Sequence, residues 1–354
     1  MRHRAQQERA RGFVLIEVAA ILVVACVLLA VIAMLGAESR RQARLGDDIA
    51  NLRQIGVWTG AYAVDNSDLF WAFSWKQGNN QSQWPDLVSQ AAQNDAAAQA
   101  AQGVDILRRC AGRLDIQPIT GWFPSVRYAH LTLLDYMDTP MPDRVFVSSM
   151  DRHRIKWSRD PHGFDAGHYQ PAPTGSSSPG TNLGRRWPYS SSFQLPPAFY
   201  DSAGIPSGRI YQGPLHNTYF IPGNSALGAR SHAEAAFPSH KVLVHDGHAR
   251  HFGAVAPCST HDRARLPLLF VDGAVTVRCS AEANPGWRPA APGDPNATTF
   301  NFTPDVWEPA TVSGGSSDPV VGRFHWTRGS PTLHGIVGRD FDGPETCSGQ
   351  PGCP

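Results

Sequence analysis

An apolar run at residues 13–37 constrains this chain more than any other feature. At about 1.5 Å of rise per residue, a helix of that length exceeds the roughly 30 Å hydrocarbon core of a bilayer. Glu17 is the only charged residue in the run. Because a carboxylate inside a bilayer costs on the order of a few kcal/mol, an acid in this position indicates a functional role. The run therefore predicts a membrane helix in which one carboxylate, that of Glu17, has a functional role.

A proteolytic cut between Gly12 and Phe13 would give this acid a partner. The new α-amino group of Phe13 would lie about one helical turn from Glu17, and the positive end of the helix also favours a carboxylate. Within one molecule the two charges would neutralise each other. Between two molecules they would set the register of stacked helices.

The order of these features resembles the class III signal of type IV pilins and type II secretion pseudopilins: a basic leader, Gly12, Phe13, Glu17 and an apolar helix. The resemblance implies that prepilin peptidase removes residues 1–12, that Phe13 becomes the N-methylated N-terminus, and that Glu17 is the assembly acid. It also implies the partners, which are other pilin or pseudopilin subunits, the inner-membrane assembly platform and membrane lipid.

Other targeting signals fit these residues less well. An uncleaved signal anchor leaves the insertion cost of Glu17 unexplained. Residues 23–26 outline a lipoprotein cleavage box ending at Cys26, but nine more apolar residues follow it. A conventional secretory signal has a shorter apolar core, of about 7–15 residues. The arginine-rich leader favours a cytoplasmic N-terminus and a periplasmic head, although arginines beyond the span weigh the other way.

Composition narrows the function classes. The chain has 354 residues, a net charge of +1 and 42% hydrophobic residues, which suits a globular ectodomain behind an anchor. Its arginines are scattered rather than arranged in a stripe, so nucleic acid is not an expected partner. The 33 glycines and 29 prolines favour turns and long loops over a helical bundle.

The cysteines allow disulfides if the ectodomain is exported. Cys347 and Cys353 are close enough in sequence to clip the C-terminal tail, and Cys258 and Cys279 bracket a predicted hairpin. Cys110 is then left over. These pairings rest on spacing alone.

The membrane helix is predicted to continue beyond the bilayer. Ile49, Leu52, Ile55 and Trp58 recur at helical spacing, which predicts one long helix, half in lipid and half packed on the head. The end of this stretch, residues 51–66, resembles the end of the first helix in large pseudopilin-like proteins. The predicted organisation is a leader at 1–12, a transmembrane helix at 13–37, its continuation at 38–66, an inserted region at 67–235 and a β-rich part at 236–354.

The inserted region gives weaker signals. Residues 69–75 form an aromatic cluster typical of a strand or a packed loop, and residues 91–102 are an Ala/Gln-rich patch that predicts a helix. Residues 130–134 and 144–147 predict a helix and a strand. Residues 171–181 lack periodicity and predict a loop.

Two Asp-Gly pairs follow apolar-rich stretches in the β-rich part. Asp272 and Gly273 predict a tight hairpin turn, and Asp246 and Gly247 predict a second one, because this pair supplies the positive φ of a type I′ turn. His261 with the Asp272 pair resembles the His-then-Asp-Gly signature of large planctomycete-type pilin-like proteins. That family usually has nine residues in the gap where this chain has ten. The sequence at 322–329 resembles the C-terminal segment of the same family.

His245, His248 and His251 offer ligand types that suit Zn²⁺ or another transition metal. In a strand, however, residues three apart point to opposite faces, and the Gly247 turn separates the first two histidines. We therefore predict exposed strand and turn histidines, with no metal site and no cofactor. The chain also lacks a nucleophile elbow, a phosphate-binding glycine loop and a zinc-protease helix motif.

These observations predict a pilin-like α+β fold with a long N-terminal helix packed on an antiparallel sheet that carries long loop insertions. The predicted function is structural and not enzymatic: a pseudopilin or minor pilin in the inner membrane. The competing hypothesis is a membrane-anchored binding or metal-dependent enzymatic ectodomain that uses a pilin-like signal.

Overall fold

The computed structural model divides the chain into two compact units, Met1–Gly46 and Asp47–Pro354. The second unit is called the head below. The structure describes residues 2–122, 126–137, 140–201, 210–212, 219–221, 227–252, 256–261, 263–284, 299–302, 304–309, 322–325 and 335–342.

The first helix, α1, begins at Arg2 and ends at Asp65. Its most apolar stretch is long and apolar enough to cross a membrane, and none of that stretch is buried inside the protein. The large apolar side chains between Ile16 and Leu35 are exposed, as a lipid-facing helix requires.

The last third of α1 belongs to the core of the head. Leu52 and Ile55 are fully buried, and Trp58 and Tyr62 follow them on the same face at intervals of three and four residues. The helix ends where the next residues leave helical geometry, with φ angles of 55° at Ser67 and 65° at Asp68.

The remaining elements of the described chain are short. The other α-helices are α2 (Pro85–Ala91), α3 (Asp95–Ala111), α4 (Arg152–Arg159) and α5 (Pro161–Asp165). The strands are β1 (Phe193–Gln194), β2 (Tyr211–Gln212), β3 (Tyr219–Phe220), β4 (Val242–Asp246), β5 (Arg265–Phe270), β6 (Val275–Cys279), β7 (Thr299–Phe302) and β8 (Gly322–His325).

The main sheet has the antiparallel order β1–β4–β5–β6. Leu243, Val244 and Leu269 belong to the main core cluster together with the buried face of α1. At Gly56 of α1, an added Cβ would lie 3.2 Å from Leu269 Cδ1, so this glycine lets the helix approach β5 closely. The head thus combines helices with an antiparallel sheet, which is the mixed α+β composition that the sequence predicts.

Tight turn geometry is found at one of the two Asp-Gly pairs. Asp272 and Gly273 lie between β5 and β6, and Gly273 has a φ of 84°. At the other pair the prediction of a tight turn is wrong: β4 and β5 pair antiparallel, but Asp246 is the last residue of β4 and Gly247 opens a long connection to β5. Asp246 is buried, and its carboxylate accepts a hydrogen bond from Arg250 Nε inside the head.

In the inserted region, residues 69–75 form a packed loop. Phe70, Trp71 and Phe73 are buried, and Gln99 of α3 donates to the carbonyl of Phe73. The strand predicted at 144–147 is wrong: Arg144–Phe146 is a 3₁₀ turn, whose start is capped by the Asp143 carboxylate accepting from Val145 N. The segment predicted as a helix at 130–134 lies in a 3₁₀ helix, Ala129–Tyr136.

Two helical glycines give a matched test of this packing. A Cβ added at Gly103 of α3 would lie 2.8 Å from Trp122, whereas one at Gly60 of α1 would meet nothing within 4 Å. We expect Gly103→Ala to lower the free energy of unfolding by about 1–3 kcal/mol through overpacking. Gly60→Ala should raise it by up to about 1 kcal/mol, because alanine favours the helix. Denaturant unfolding of the full chain in detergent measures both, and equal effects would contradict the close approach of α3 to Trp122.

Candidate functional site

The residues of the predicted assembly signal lie on one helix. Glu17 is on α1 with an exposed side chain, and Gly12 and Phe13 are in the same helix. Around Glu17 the exposed side chains are apolar, including Ile16 and Ile21. An ionised group on such a surface interacts strongly with an opposite charge, because water does not screen it within a bilayer.

At the start of the head, α1 carries a second acid, Asp48, which is fully buried. One carboxylate oxygen accepts from Ser148 Oγ and lies 2.7 Å from His251 Nε2, and the other accepts from Ser149 N at 2.7 Å. These contacts join α1 to two segments that are distant in sequence. We call Asp48, Ser148, Ser149 and His251 the Asp48 clasp.

A second buried ionic group surrounds Asp151, the residue that caps α4. Its carboxylate accepts from Arg154 Nη1 and from Ser192 Oγ, the latter at 2.9 Å, and it forms an ion pair with Arg250 Nη2 at 3.0 Å. Arg250 also donates from Nε to Asp246 at 3.0 Å. Two arginines thus compensate two carboxylates inside the head, as buried charges require.

The two carboxylates of this group have opposite pKa shifts. Burial raises the pKa of Asp246 to about 6, and the nearby carboxylates Asp48 and Asp151 add to the effect against the opposing charge of Arg250. Burial alone would also raise the pKa of Asp151, but Arg250 and Arg154 together hold it well below its ordinary value. Asp151 has two arginine partners and Asp246 has one, and the pKa values of the two carboxylates shift in opposite directions.

The three clustered histidines are buried, so the prediction that they are exposed is wrong. His245, His248 and His251 are 8%, 4% and 3% exposed. Their contacts diverge: His245 Nδ1 lies 3.0 Å from the carbonyl of Asp246, His248 N donates to the Asp246 carboxylate, and His251 faces Asp48. Among the residues that the structure describes, no three His, Cys, Asp or Glu side chains are gathered as a metal site would need.

The Asp48 clasp contains the residue types of a Ser-His-Asp triad in a different arrangement. In a triad the histidine lies between the serine and the acid, so that it can take the serine proton. Here Ser148 donates to Asp48 itself, and the serine is fully buried. The clasp therefore joins segments of the head and presents no accessible nucleophile.

Cys258 and Cys279 do not form the predicted disulfide. Cys258 forms a backbone bridge with His248, whereas Cys279 lies opposite Arg265 at the end of β6, so the two cysteines are not cross-strand neighbours. The Cys258 Sγ lies 3.0 Å from Thr260 Oγ1, and burial raises the pKa of this thiol to about 11. Cys347 and Cys353 lie outside the described residues.

One member of the clasp could have been found in the sequence. Asp48 precedes Leu52 by four residues and Ile55 by seven, so it falls on the apolar stripe of α1. A carboxylate on a core stripe predicts a buried partner. The identity of that partner, His251, is more than two hundred positions away and has no local signal.

Comparisons of the chain with models of protein families, with curated proteins and with solved structures find no match. The resemblance of the N-terminal signal to pilins is therefore carried by its own residues.

Two adjacent acids on α1 test the clasp. Asp48→Ala leaves His251, Ser148 and the Ser149 amide without their buried acceptor, so we expect it to lower the free energy of unfolding by about 3–5 kcal/mol. Asp47→Ala removes an exposed carboxylate from the same turn and should change it by less than about 0.5 kcal/mol. Denaturant unfolding in detergent measures the pair. If both variants were as stable as the wild type, the clasp would have no structural role.

The raised pKa of Asp246 makes a prediction about pH. The folded protein holds this proton up to about pH 6, whereas an unfolded aspartate loses it near pH 4. Stability attributable to Asp246 therefore falls as pH rises from about 4 to about 6, by an amount on the order of 3 kcal/mol. In Asp246→Asn, Arg250 keeps its bond to Asp151 and this pH dependence should be absent. Unfolding titrations of both proteins from pH 4 to pH 7 measure it, and a stability difference that stays constant across the range would refute the assignment.

Proposed function

We propose that this protein is a structural subunit, a pseudopilin or minor pilin, of a type II secretion or type IV pilus-like assembly. The observation that carries the proposal is the composition of α1. One end of this helix has an exposed apolar surface with a single acid, Glu17, and the other end is built into the core of the head. A helix of this kind serves both as an anchor before assembly and as the joint between subunits afterwards.

The head end of α1 is suited to carry load. A subunit that is pulled from the membrane by its helix has to transmit that pull to its head. Leu52 and Ile55 supply buried apolar contact, and the Asp48 clasp adds charged hydrogen bonds to two other segments. Charge-assisted hydrogen bonds are roughly twice as strong as neutral ones, so the clasp resists displacement of α1 against the two segments that it joins.

The membrane end of α1 carries the charges that set the register between neighbouring subunits. After prepilin peptidase cuts between Gly12 and Phe13, the methylated amine of Phe13 carries a positive charge. Glu17 of a neighbouring subunit neutralises it when the two helices are in register. Before assembly the protein resides in the inner membrane as a single-pass protein with its head in the periplasm. The size of the head favours a minor subunit over a closely packed major one.

The competing hypothesis of a metal-dependent ectodomain gains no support from the histidines that motivated it. His245, His248 and His251 serve three separate contacts within the head. A filament subunit remains the function that the described residues favour.

Glu17 and Glu38 provide a matched pair for testing assembly. Glu38 is exposed on α1 beyond the apolar run and forms a surface ion pair with Arg41. We expect Glu17→Ala to be processed to a mature chain that begins at methylated Phe13 yet to be absent from sheared fibres or crosslinked pseudopili. Glu38→Ala should be processed and assembled like the wild type. Intact mass and N-terminal sequencing of protein from native membranes report processing, and fractionation of the fibres reports assembly.

Three results would overturn the proposal. A wild-type chain that still begins at Met1 would exclude processing, and one that begins at a lipidated Cys26 would show a lipoprotein. Equal assembly of the Glu17→Ala and wild-type proteins would exclude the docking role of the acid.

A further inference from the structure

Several arginines of the head pack against aromatic rings. Two of these arginines, Arg127 and Arg154, have carboxylate partners. Arg127, over Trp187 and Trp307, donates to Glu308 at 2.9 Å. Arg154, over Trp307, donates to Asp151. Arg186 packs in the same region without any such partner: no described carboxylate lies within ion-pair distance of it, and its Nε has no acceptor.

Three rings surround this unpaired guanidinium. Its central carbon lies 5.5 Å from the ring centre of Tyr128, 5.6 Å from that of Trp122 and 5.8 Å from that of Trp187. Trp122 and Trp187 are 6% and 8% exposed, and the indole Nε1 of each also lacks an acceptor among the described residues. Within the described residues, Arg186 Nε and both indole N–H groups thus lack a hydrogen-bond acceptor.

The cost of burying the Arg186 guanidinium is not offset by hydrogen bonds from the protein. Burial lowers the pKa of Arg186, Tyr128 opposes that effect, and the neighbouring positive charge of Arg127 adds to it. The ring faces attract the cation and hold it in place, but they do not satisfy its hydrogen-bond donors. Buried donors normally have acceptors, and a guanidinium matches the two oxygens of a carboxylate in one plane. Arg186 as a residue is only partly buried, whereas its Nε is fully buried, so a ligand in solution has access to the residue but no direct access to that atom.

We propose that Arg186 and the rings of Trp122, Tyr128 and Trp187 form a binding site for a small organic carboxylate. The site has one uncompensated positive charge, which a singly charged anion neutralises. A doubly charged anion fits less well, because the aromatic faces repel the excess negative charge. The rings favour a ligand with an apolar body, and benzoate is the simplest probe that has both parts.

Two adjacent arginines provide the binding test. Arg185 is paired with Asp115 at 3.4 Å, so Arg185→Met removes the same charge one position away from the proposed site. Titration of the full chain in detergent with sodium benzoate, at constant ionic strength made up with chloride, should show saturable binding by tryptophan fluorescence or calorimetry. We expect Arg186→Met to weaken that binding by about tenfold or more, because a charge-assisted pair is lost. Arg185→Met should retain the wild-type affinity.

A second measurement separates a binding role from a purely structural one. Removing an uncompensated buried charge relieves its desolvation cost, whereas breaking a buried pair is strongly destabilising. Without benzoate, Arg186→Met should therefore lose far less stability than Arg154→Met, which deprives Asp151 of a partner.

Three outcomes would overturn the site. They are the absence of saturable benzoate binding to the wild type, equal affinity of the Arg186→Met and wild-type proteins, and destabilisation of Arg186→Met to the extent seen in Arg154→Met. None of these measurements depends on processing or filament assembly, so the site and the proposed function fail independently.

Discussion

The structure of the head depends on the burial of one carboxylate. Asp48 enters the core on the same stripe of α1 as Leu52, and a carboxylate there is tolerated only with full hydrogen bonding. The clasp supplies it from Ser148, from the Ser149 amide and from His251. Because these donors come from segments far apart in the chain, satisfying one charge positions three parts of the head relative to one another.

The neighbouring ionic group extends the same constraint. Asp151 caps α4 and also receives two arginines, while Arg250 links it to Asp246 at the end of β4. Another pair, Lys241 and Asp340, is fully buried at 2.9 Å and joins the start of the same strand to the C-terminal part of the described chain. Strand β4 is therefore held by charge at both ends. Apolar packing alone is less selective about register than such pairs.

The parts of the fold that were predictable from the sequence are those decided locally. The helical spacing of Leu52, Ile55 and Trp58 predicts the buried face of α1, and the Ala/Gln-rich patch falls partly within α3. The turn at Asp272 follows from the positive φ that its glycine provides. The same local pattern at Asp246 did not predict the structure, because this carboxylate is buried in the core and accepts hydrogen bonds from Arg250 Nε and from the backbone amide of His248. The predictions of exposed histidines and of a disulfide at Cys258 were wrong for a related reason: spacing in the sequence carries no information on burial.

The sequence by itself determined an apolar helix with one acid, its amphipathic continuation and the Asp-Gly turn between β5 and β6, because helix periodicity, bilayer thickness and turn geometry act on neighbouring residues. The tertiary structure alone decided which charges meet. Asp48 and His251, or Arg186 and its three rings, come together only when distant segments pack. Whether a charge finds a partner depends on that packing, since the cost of burial is set by the surroundings and not by the residue type.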